Sequence, residues 1–275
     1  MIEVQNLSKY FGKKQALVDI NLRLGKGFHG LLGPNGSGKT TLMRCLAGVL
    51  RPSCGTTKQS DMIGYLPQRF NFYRELTLYE TMEYFASLKK IPRHQQRDAI
   101  MRLLHLVHLD ERAKSKLRTL SGGMIRRMGI AQALLGNPPL VLVDEPTAGL
   151  DPEERLSFKN IISDLNPDSC IIISTHIVED VEALCKRIII LDEGKVVADK
   201  GSDALKEYAR GSVYRVLADH QADLLPPYEI LRRERSEEQE YLRILSPNDQ
   251  NAKPVHPTIE DGYIMVIRGY PPKSL

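Results

Sequence analysis

The sequence has no apolar run that approaches the roughly 18 residues needed to span a bilayer. Its N-terminus, Met1-Ile2-Glu3-Val4, does not read as a signal peptide. Any work at a membrane would therefore use spans supplied by another chain. Cysteine is scarce as well. Cys45, Cys54, Cys170 and Cys185 show no C-x-x-C spacing, which excludes that zinc and redox pattern and reads as buried, reduced thiols in a cytosolic protein. A strong charge of either sign is also missing. The net charge of +4 is too small to argue for nucleic acid. It is uneven, with −2 on residues 211–275 and +6 on residues 1–210. A mildly basic body suits a polyphosphate ligand or an anionic membrane surface without demanding either. The rest is ordinary: 275 residues, 42% hydrophobic and 26% charged, suit one large domain or one domain with a small extension.

What is present is organised around Gly33-Pro34-Asn35-Gly36-Ser37-Gly38-Lys39-Thr40, which fits the phosphate-loop pattern G-x-x-x-x-G-K-[ST]. Glycines at 33, 36 and 38 let the backbone turn so that successive N–H groups face one concavity. The spacing predicts a helix opening at about Lys39, with its positive end on the same spot. Lys39 adds a cation for the outer phosphates, and Thr40 offers a hydroxyl to Mg²⁺. Before the loop, Phe28–Leu32 reads as a short buried strand. After it, Leu42, Cys45, Leu46 and Val49 recur at helical spacing as one apolar face.

In chain order, residues 2–7 and 16–24 alternate as half-buried strands. Between them lies Tyr10-Phe11-Gly12, whose aromatics either stack on a nucleotide base or pack beneath the sheet. Ile63–Gln68 is a short strand ending at a glutamine. Thr77–Glu80 fits a capping box, with Leu78, Met82 and Phe85 following at helical spacing. Ile100, Leu103, Leu104 and Val107 mark a second helix, so residues 72–118 read as a helical insertion in an α/β core. Leu120-Ser121-Gly122-Gly123-Met124 precedes another helix that stops at Asn137-Pro138-Pro139. Leu140–Glu145 is a continuous apolar run ending in two acids, and Ile171–His176 repeats the design with a histidine at its end. Arg187–Asp192 is one more strand. Strands alternating with helices predict a parallel or mixed sheet with the ligand at the strands' carboxyl ends. Beyond residue 211, Val213–Leu217, Tyr241–Leu245 and Tyr263–Ile267 read as strands of a small α+β extension.

This order of stretches resembles the nucleotide-binding subunits of ATP-binding cassette transporters from about residue 2 to residue 210. Gln68 stands at the Q-loop position, Leu120–Met124 resembles the family signature, and Val141–Glu145 looks like the Walker B strand with its glutamate. Ala148-Gly149-Leu150-Asp151 resembles the D-loop, His176 the switch histidine, and Phe11 (with Tyr10 as the alternative) the adenine-stacking aromatic. Two features depart from the common pattern. Met124 replaces the frequent glutamine and resembles the subfamily exporting drugs, peptides and lipids. Gly55–Gly64 is shorter than the usual β excursion, so that subdomain is expected to be trimmed. Pro257–Tyr263 resembles the ending of many exporter subunits.

The resemblance implies a P-loop NTPase core with a mixed sheet, a helical signature subdomain at about 72–136, and a C-terminal extension at 211–275. Gly33 to Thr40 and Thr41 would bind nucleotide. Lys39 would hold the outer phosphates, and Thr40, Gln68 and, through a water, Asp144 would hold Mg²⁺. Glu145 would be the base, and His176 would orient it or the water. Ser121, Gly122 and Gly123 would meet the ATP of a second ATPase subunit in a head-to-tail dimer, with Asp151 in the D-loop. The implied partners are ATP and a separately encoded transmembrane permease, and no nucleic acid. The implied place is the cytoplasmic face of the cell membrane. The rivals are a soluble cassette ATPase acting on ribosomes or DNA, and a degenerate binding module. A single phosphate loop, the lack of a coiled-coil insertion, and intact Lys39, Asp144, Glu145 and His176 weigh against them. The aromatics of Arg69–Leu76 either close the helical insertion or receive a helix of the membrane partner.

Overall fold

The computed structural model describes residues 1–58, 62–69, 72–165, 168–236 and 239–273. The chain divides into two compact units, Met1–Val196 and Val197–Leu275.

The first unit opens with β1 (Ile2–Phe11) and β2 (Lys14–Leu24), an antiparallel pair turned at Gly12-Lys13. Then come β3 (Gly27–Leu32), α1 (Lys39–Leu46) and β4 (Cys54–Lys58), which pairs antiparallel with β1. Strand β4 is thus the part of the Gly55–Gly64 excursion that folds onto β1, while residues 59–61 lie outside the described ones. After β5 (Ile63–Leu66) the chain forms a helical lobe: α2 (Leu78–Leu88), α3 (Arg93–Leu106) and α4 (Gly122–Leu134). It returns through β6 (Leu140–Asp144), α5 (Pro152–Ser163), β7 (Cys170–Thr175), α6 (Val178–Glu182), β8 (Arg187–Asp192) and β9 (Lys195–Gly201). The division between the units falls within β9.

The main sheet has the order β5-β6-β7-β3-β8-β9. Its pairs β5–β6, β6–β7, β7–β3 and β3–β8 are all parallel. Every residue of β6 and β7 is buried, which is why these strands read as unbroken apolar runs. Leu42, Met43, Cys45 and Leu46 of α1 join Leu31, Leu140, Leu142 and Ile172 of this sheet and Val4, Leu7, Leu17 and Ile20 of β1 and β2 in one core. Each fully buried aliphatic side chain of this size is worth about 1.5–3 kcal/mol. The core therefore anchors α1, and with it the glycine loop, on both sheets. Val49 does not share that face. Gly48 takes φ +72 just after α1 ends, and Val49 is 68% exposed. In the lobe, Thr77 caps α2 through a reciprocal capping box with Glu80, and Leu78, Met82, Ile100, Leu104 and Val107 are fully buried.

The second unit holds α7 (Ser202–Tyr208), β10 (Val213–Leu217), β11 (Glu229–Ser236), β12 (Gln239–Leu245) and α8 (Ile259–Arg268). Its strands form an antiparallel sheet of order β10-β12-β11. Helix α7, which the sequence grouped with the residues before 211, packs here. A Cβ on Gly262 of α8 would run into the carbonyl of Leu205. The expected strand at Tyr263–Ile267 is helix instead. Thr258 and Asp261 make a capping box at its start, and Asp261 also receives Arg243 Nη2 at 2.6 Å, so the local caps override an all-apolar stretch.

Candidate nucleotide-binding site

Strand β3 delivers the chain to the glycine loop, and α1 leaves it. Gly33 is required because a Cβ there would strike the carbonyl of Leu191. Gly38 is required because it has φ +108 and a Cβ would lie 2.7 Å from the oxygen of Ala16. The Lys39 side chain is 5% exposed. Its Nζ donates to the carbonyls of Gly33 (2.7 Å) and Pro34 (3.1 Å) and lies 3.3 Å from Glu145 Oε1. The other oxygen of Glu145 receives His176 Nδ1 at 2.8 Å. Lysine, glutamate and histidine, distant in sequence, thus form one bonded chain.

Asp144 stands at the end of β6 and is fully buried. Its Oδ1 accepts from Ser174 Oγ and, at 3.3 Å, from Thr40 Oγ1. Burial holds its carboxyl above the usual range, and the hydrogen bonds from Ser174 and Thr40 pull the other way. Its Oδ2 is buried without a hydrogen-bond partner. A buried acceptor left over beside a threonine hydroxyl fits an oxygen-liganded cation that keeps its waters, as Mg²⁺ does. Glu145 itself has φ +47, an unusual backbone for a residue with a Cβ. Its N–H donates to the carbonyl (3.0 Å) and hydroxyl (3.1 Å) of Ser174, which fixes that conformation.

A cleft of about 530 Å³ opens beside the loop. Of the residues the sequence picked out, Phe11, Asn35, Gly36, Gly38, Lys39, Thr40, Thr41, Gln68 and Glu145 line it. Tyr10 does not; its hydroxyl accepts from Gln15 instead, so Phe11 is the aromatic at the cleft. Sequence reasoning missed Lys14, Gln15, Ala16, Glu193 and Gly194, which complete the wall. The turn after β8, Asp192-Glu193-Gly194, was the available signal. Ser174, between Asp144 and Glu145, was also missed.

Ser121, Gly122 and Gly123 are not among the residues lining this cleft. Ser121 caps α4, accepting the N–H of Met124 at 3.1 Å, and Gly123 borders a separate cavity of about 150 Å³ against α5. Asp151 caps α5, accepting the N–H of Glu154 at 2.8 Å. One chain therefore assembles the phosphate loop, Gln68, Asp144, Glu145 and His176, and carries the signature glycines elsewhere.

A glycine loop between a buried parallel strand and a helix, with acids ending the neighbouring strand, defines a P-loop nucleotide-binding cassette. A protein-family model described as "ABC transporter" matches residues 17–148. The linearmycin resistance ATP-binding protein LnrL of Bacillus subtilis (strain 168) is 36% identical over 212 residues, which cover 72% of this chain and 68% of that protein. A Nod factor export ATP-binding protein I, from Cupriavidus metallidurans, is 33% identical over 213 residues, 72% of this chain and 70% of its own. Among solved structures, the "Dimeric Structure of MJ0796, a Bacterial ABC Transporter Cassette" is 28% identical with a TM-score of 0.65, covering 73% of this chain and 98% of that one. The same cassette in a "post-hydrolysis state" bound to ADP and Pi gives 0.64 at 27% identity, with the same coverage. The chain belongs to the ABC transporter ATP-binding proteins, a family that hydrolyses ATP, generally with Mg²⁺. Among the described residues no helix is long and apolar enough to cross a membrane.

Proposed function

We propose that this subunit binds ATP in the cleft, hydrolyses it with Glu145 as base, and powers a separately encoded membrane permease of the export type. One observation carries the proposal: the Glu145 carboxylate is held between Lys39 and His176 at the phosphate loop. The loop N–H groups and Lys39 hold the outer phosphates, and Phe11 stacks on the base. A phosphate drawn to Lys39 competes with Glu145 for the ammonium, and Glu145 is left to take a proton from the attacking water. A positioned base typically contributes ~10²–10⁴-fold. His176 orients Glu145 through its Nδ1–H. Thr40, Gln68 and, through a water, Asp144 would hold Mg²⁺, which when bound would neutralise charge building on the phosphate oxygens.

Ser121–Gly123 lie outside the chain's own cleft, which supports a head-to-tail dimer in which each signature helix meets the partner's ATP. The dimeric cassette relative supports the same arrangement. Export is supported by the names of the relatives, one a Nod factor export protein and one a linearmycin resistance protein. The subunit would then work at the cytoplasmic face of the membrane. The test is Glu145→Gln, which keeps ATP binding and loses hydrolysis by about 10²-fold or more. Turnover near wild type in that variant would remove Glu145 from the role of base. Identifying the membrane chain that co-purifies with the subunit tests the transporter assignment separately.

A further inference from the structure

Arg126 lies one turn into α4, beside the cavity that Gly123 borders, and its guanidinium reaches three of the segments that build the site. Nη1 donates to the carbonyl of Gln68 at 3.2 Å and, longer, to that of Glu145 at 3.4 Å. Nη2 donates to the carbonyl of Ala148 at 3.0 Å. The three acceptors sit just after β5, just after β6 and on the way to α5. Arginine suits this task because its planar fork aims several N–H groups at once and stays charged when half buried.

The contact with Glu145 falls on a residue whose backbone needs support. A non-glycine residue at positive φ costs of order 1–3 kcal/mol unless its surroundings over-determine it. On the amide side of Glu145, Ser174 takes its N–H twice. On the carbonyl side the acceptor is met by Arg126 and by the N–H of Ala148 at 3.3 Å. Removing the guanidinium would leave the carbonyls of Gln68 and Ala148 without it and that of Glu145 with only the Ala148 N–H, to bond water or to shift. A shift of Glu145's peptide moves its carboxylate relative to Lys39 and His176.

We propose that Arg126 is a positioning residue for ATP hydrolysis, tying the signature helix to the backbone of Gln68, Glu145 and Ala148 so that the Glu145 carboxylate is held in its working place. The inference rests on Glu145 being the base. It also gives the signature helix a mechanical link to the chain's own hydrolytic residues, through a side chain that is not among those lining the chain's own cleft.

The test uses the full chain with Mg-ATP. Arg126→Met lowers kcat by about 10–10²-fold, the range expected when a reacting group is displaced by about an ångström. The KM for ATP and the affinity for a non-hydrolysable analogue stay within about 2-fold. Arg126→Lys keeps the charge but cannot span three carbonyls, so it recovers only part of kcat. In single turnover, Arg126→Met added to Glu145→Gln causes no further loss, because the carboxylate it positions is already gone. Wild-type kcat in a folded Arg126→Lys or Arg126→Met variant overturns the proposal. So does a rise in KM that accounts for the loss, or a full additional loss in the double variant. If Arg126→Met does not fold by circular dichroism, Arg126→Lys alone decides by its kcat and KM. Loss of activity in Glu145→Gln separates the two readings: if that variant hydrolyses normally, the base assignment fails, whatever Arg126 does.

Discussion

Replacing Lys39 by methionine strands a buried carboxylate, and the structure sets how much that costs. The ammonium and Glu145 Oε1 are 3.3 Å apart, with side chains 5% and 6% exposed. At an effective dielectric near 20 the pair is worth about 5 kcal/mol of attraction. Breaking a buried pair from one side typically costs about 3–5 kcal/mol. His176 Nδ1 still holds the other oxygen of Glu145 at 2.8 Å, which favours the low end. The carbonyls of Gly33 and Pro34 lose their donor as well, and each lost hydrogen bond adds about 1 kcal/mol. The expected net loss for Lys39→Met is therefore about 3–5 kcal/mol. Glu145→Gln in the same chain removes the stranded charge and should recover at least half of it. The measurement is urea unfolding without nucleotide, followed by far-UV circular dichroism because the chain has no tryptophan. The transition that Mg-ATP shifts in the wild type marks the unit to read. A loss below about 1 kcal/mol in Lys39→Met, or strictly additive costs in the double variant, would refute a buried, mutually dependent pair.

Three other outcomes follow from the same geometry. In a Glu145→Gln chain with Mg-ATP, gel filtration should show a dimer, and adding Gly122→Asp should return it to monomer; a persisting dimer removes the signature from the interface. Gly122 is the position of choice because a Cβ there meets nothing within 4 Å, whereas one on Gly123 would run into the Glu154 carboxylate. Lys89 donates to the carbonyls of Gln132, Ala133 and Leu135, yet burial pushes its amine down to about 8. The unfolded chain keeps that proton to about 10.4, so stability attributable to Lys89 rises with pH between these values, and the rise should vanish in Lys89→Met. Tyr73 is 76% exposed, while Phe72 meets the ring of Phe85 edge-on at 5.9 Å. Tyr73→Ala should therefore weaken association with the membrane chain without loss of stability, and Phe72→Ala should destabilise the helical lobe; equal co-purification of Tyr73→Ala with that chain would move the docking surface elsewhere.

The parts of the fold that were legible are those whose signal is local. Leu140–Val143 and Ile188–Leu191 were readable because the stretch of a strand buried on both faces is apolar. Thr77 and Ser121 were readable as helix starts because their side chains satisfy N–H groups that the helix leaves open. Tyr263–Ile267 was misread because five apolar residues in a row carry no period, and the deciding residues, Thr258 and Asp261, lie outside the run. Val49 kept the helical spacing, but Gly48 had already ended the helix. Phe70 and Asn71, within the segment read as a docking site, lie outside the described residues. In the cleft, the loop and the acidic strand end carry residue-type signals. Ala16 serves by its backbone position, which carries no residue-type signal, and Gly194 by a positive φ and a close approach to the Ala16 carbonyl that only the fold reveals. Arg126 was invisible for the same reason: its partners are carbonyls, which every residue possesses.

The bonded chain of Lys39, Glu145 and His176 explains why binding and chemistry belong to one event on the proposed reading. Lys39 already has three partners, two carbonyls of the loop and the carboxylate of Glu145. On the proposed reading the doubly charged terminal phosphate of ATP would compete best with the carboxylate, the partner of like sign that it also repels. The carbonyls of Gly33 and Pro34 can keep the ammonium in place while this exchange occurs. On that reading Glu145 would retain His176 on one oxygen and have the other freed to face the attacking water. A base that is neutralised until phosphate arrives does not turn on water alone. The side chain that holds the nucleotide's phosphate would thus, on the proposed reading, also release the base.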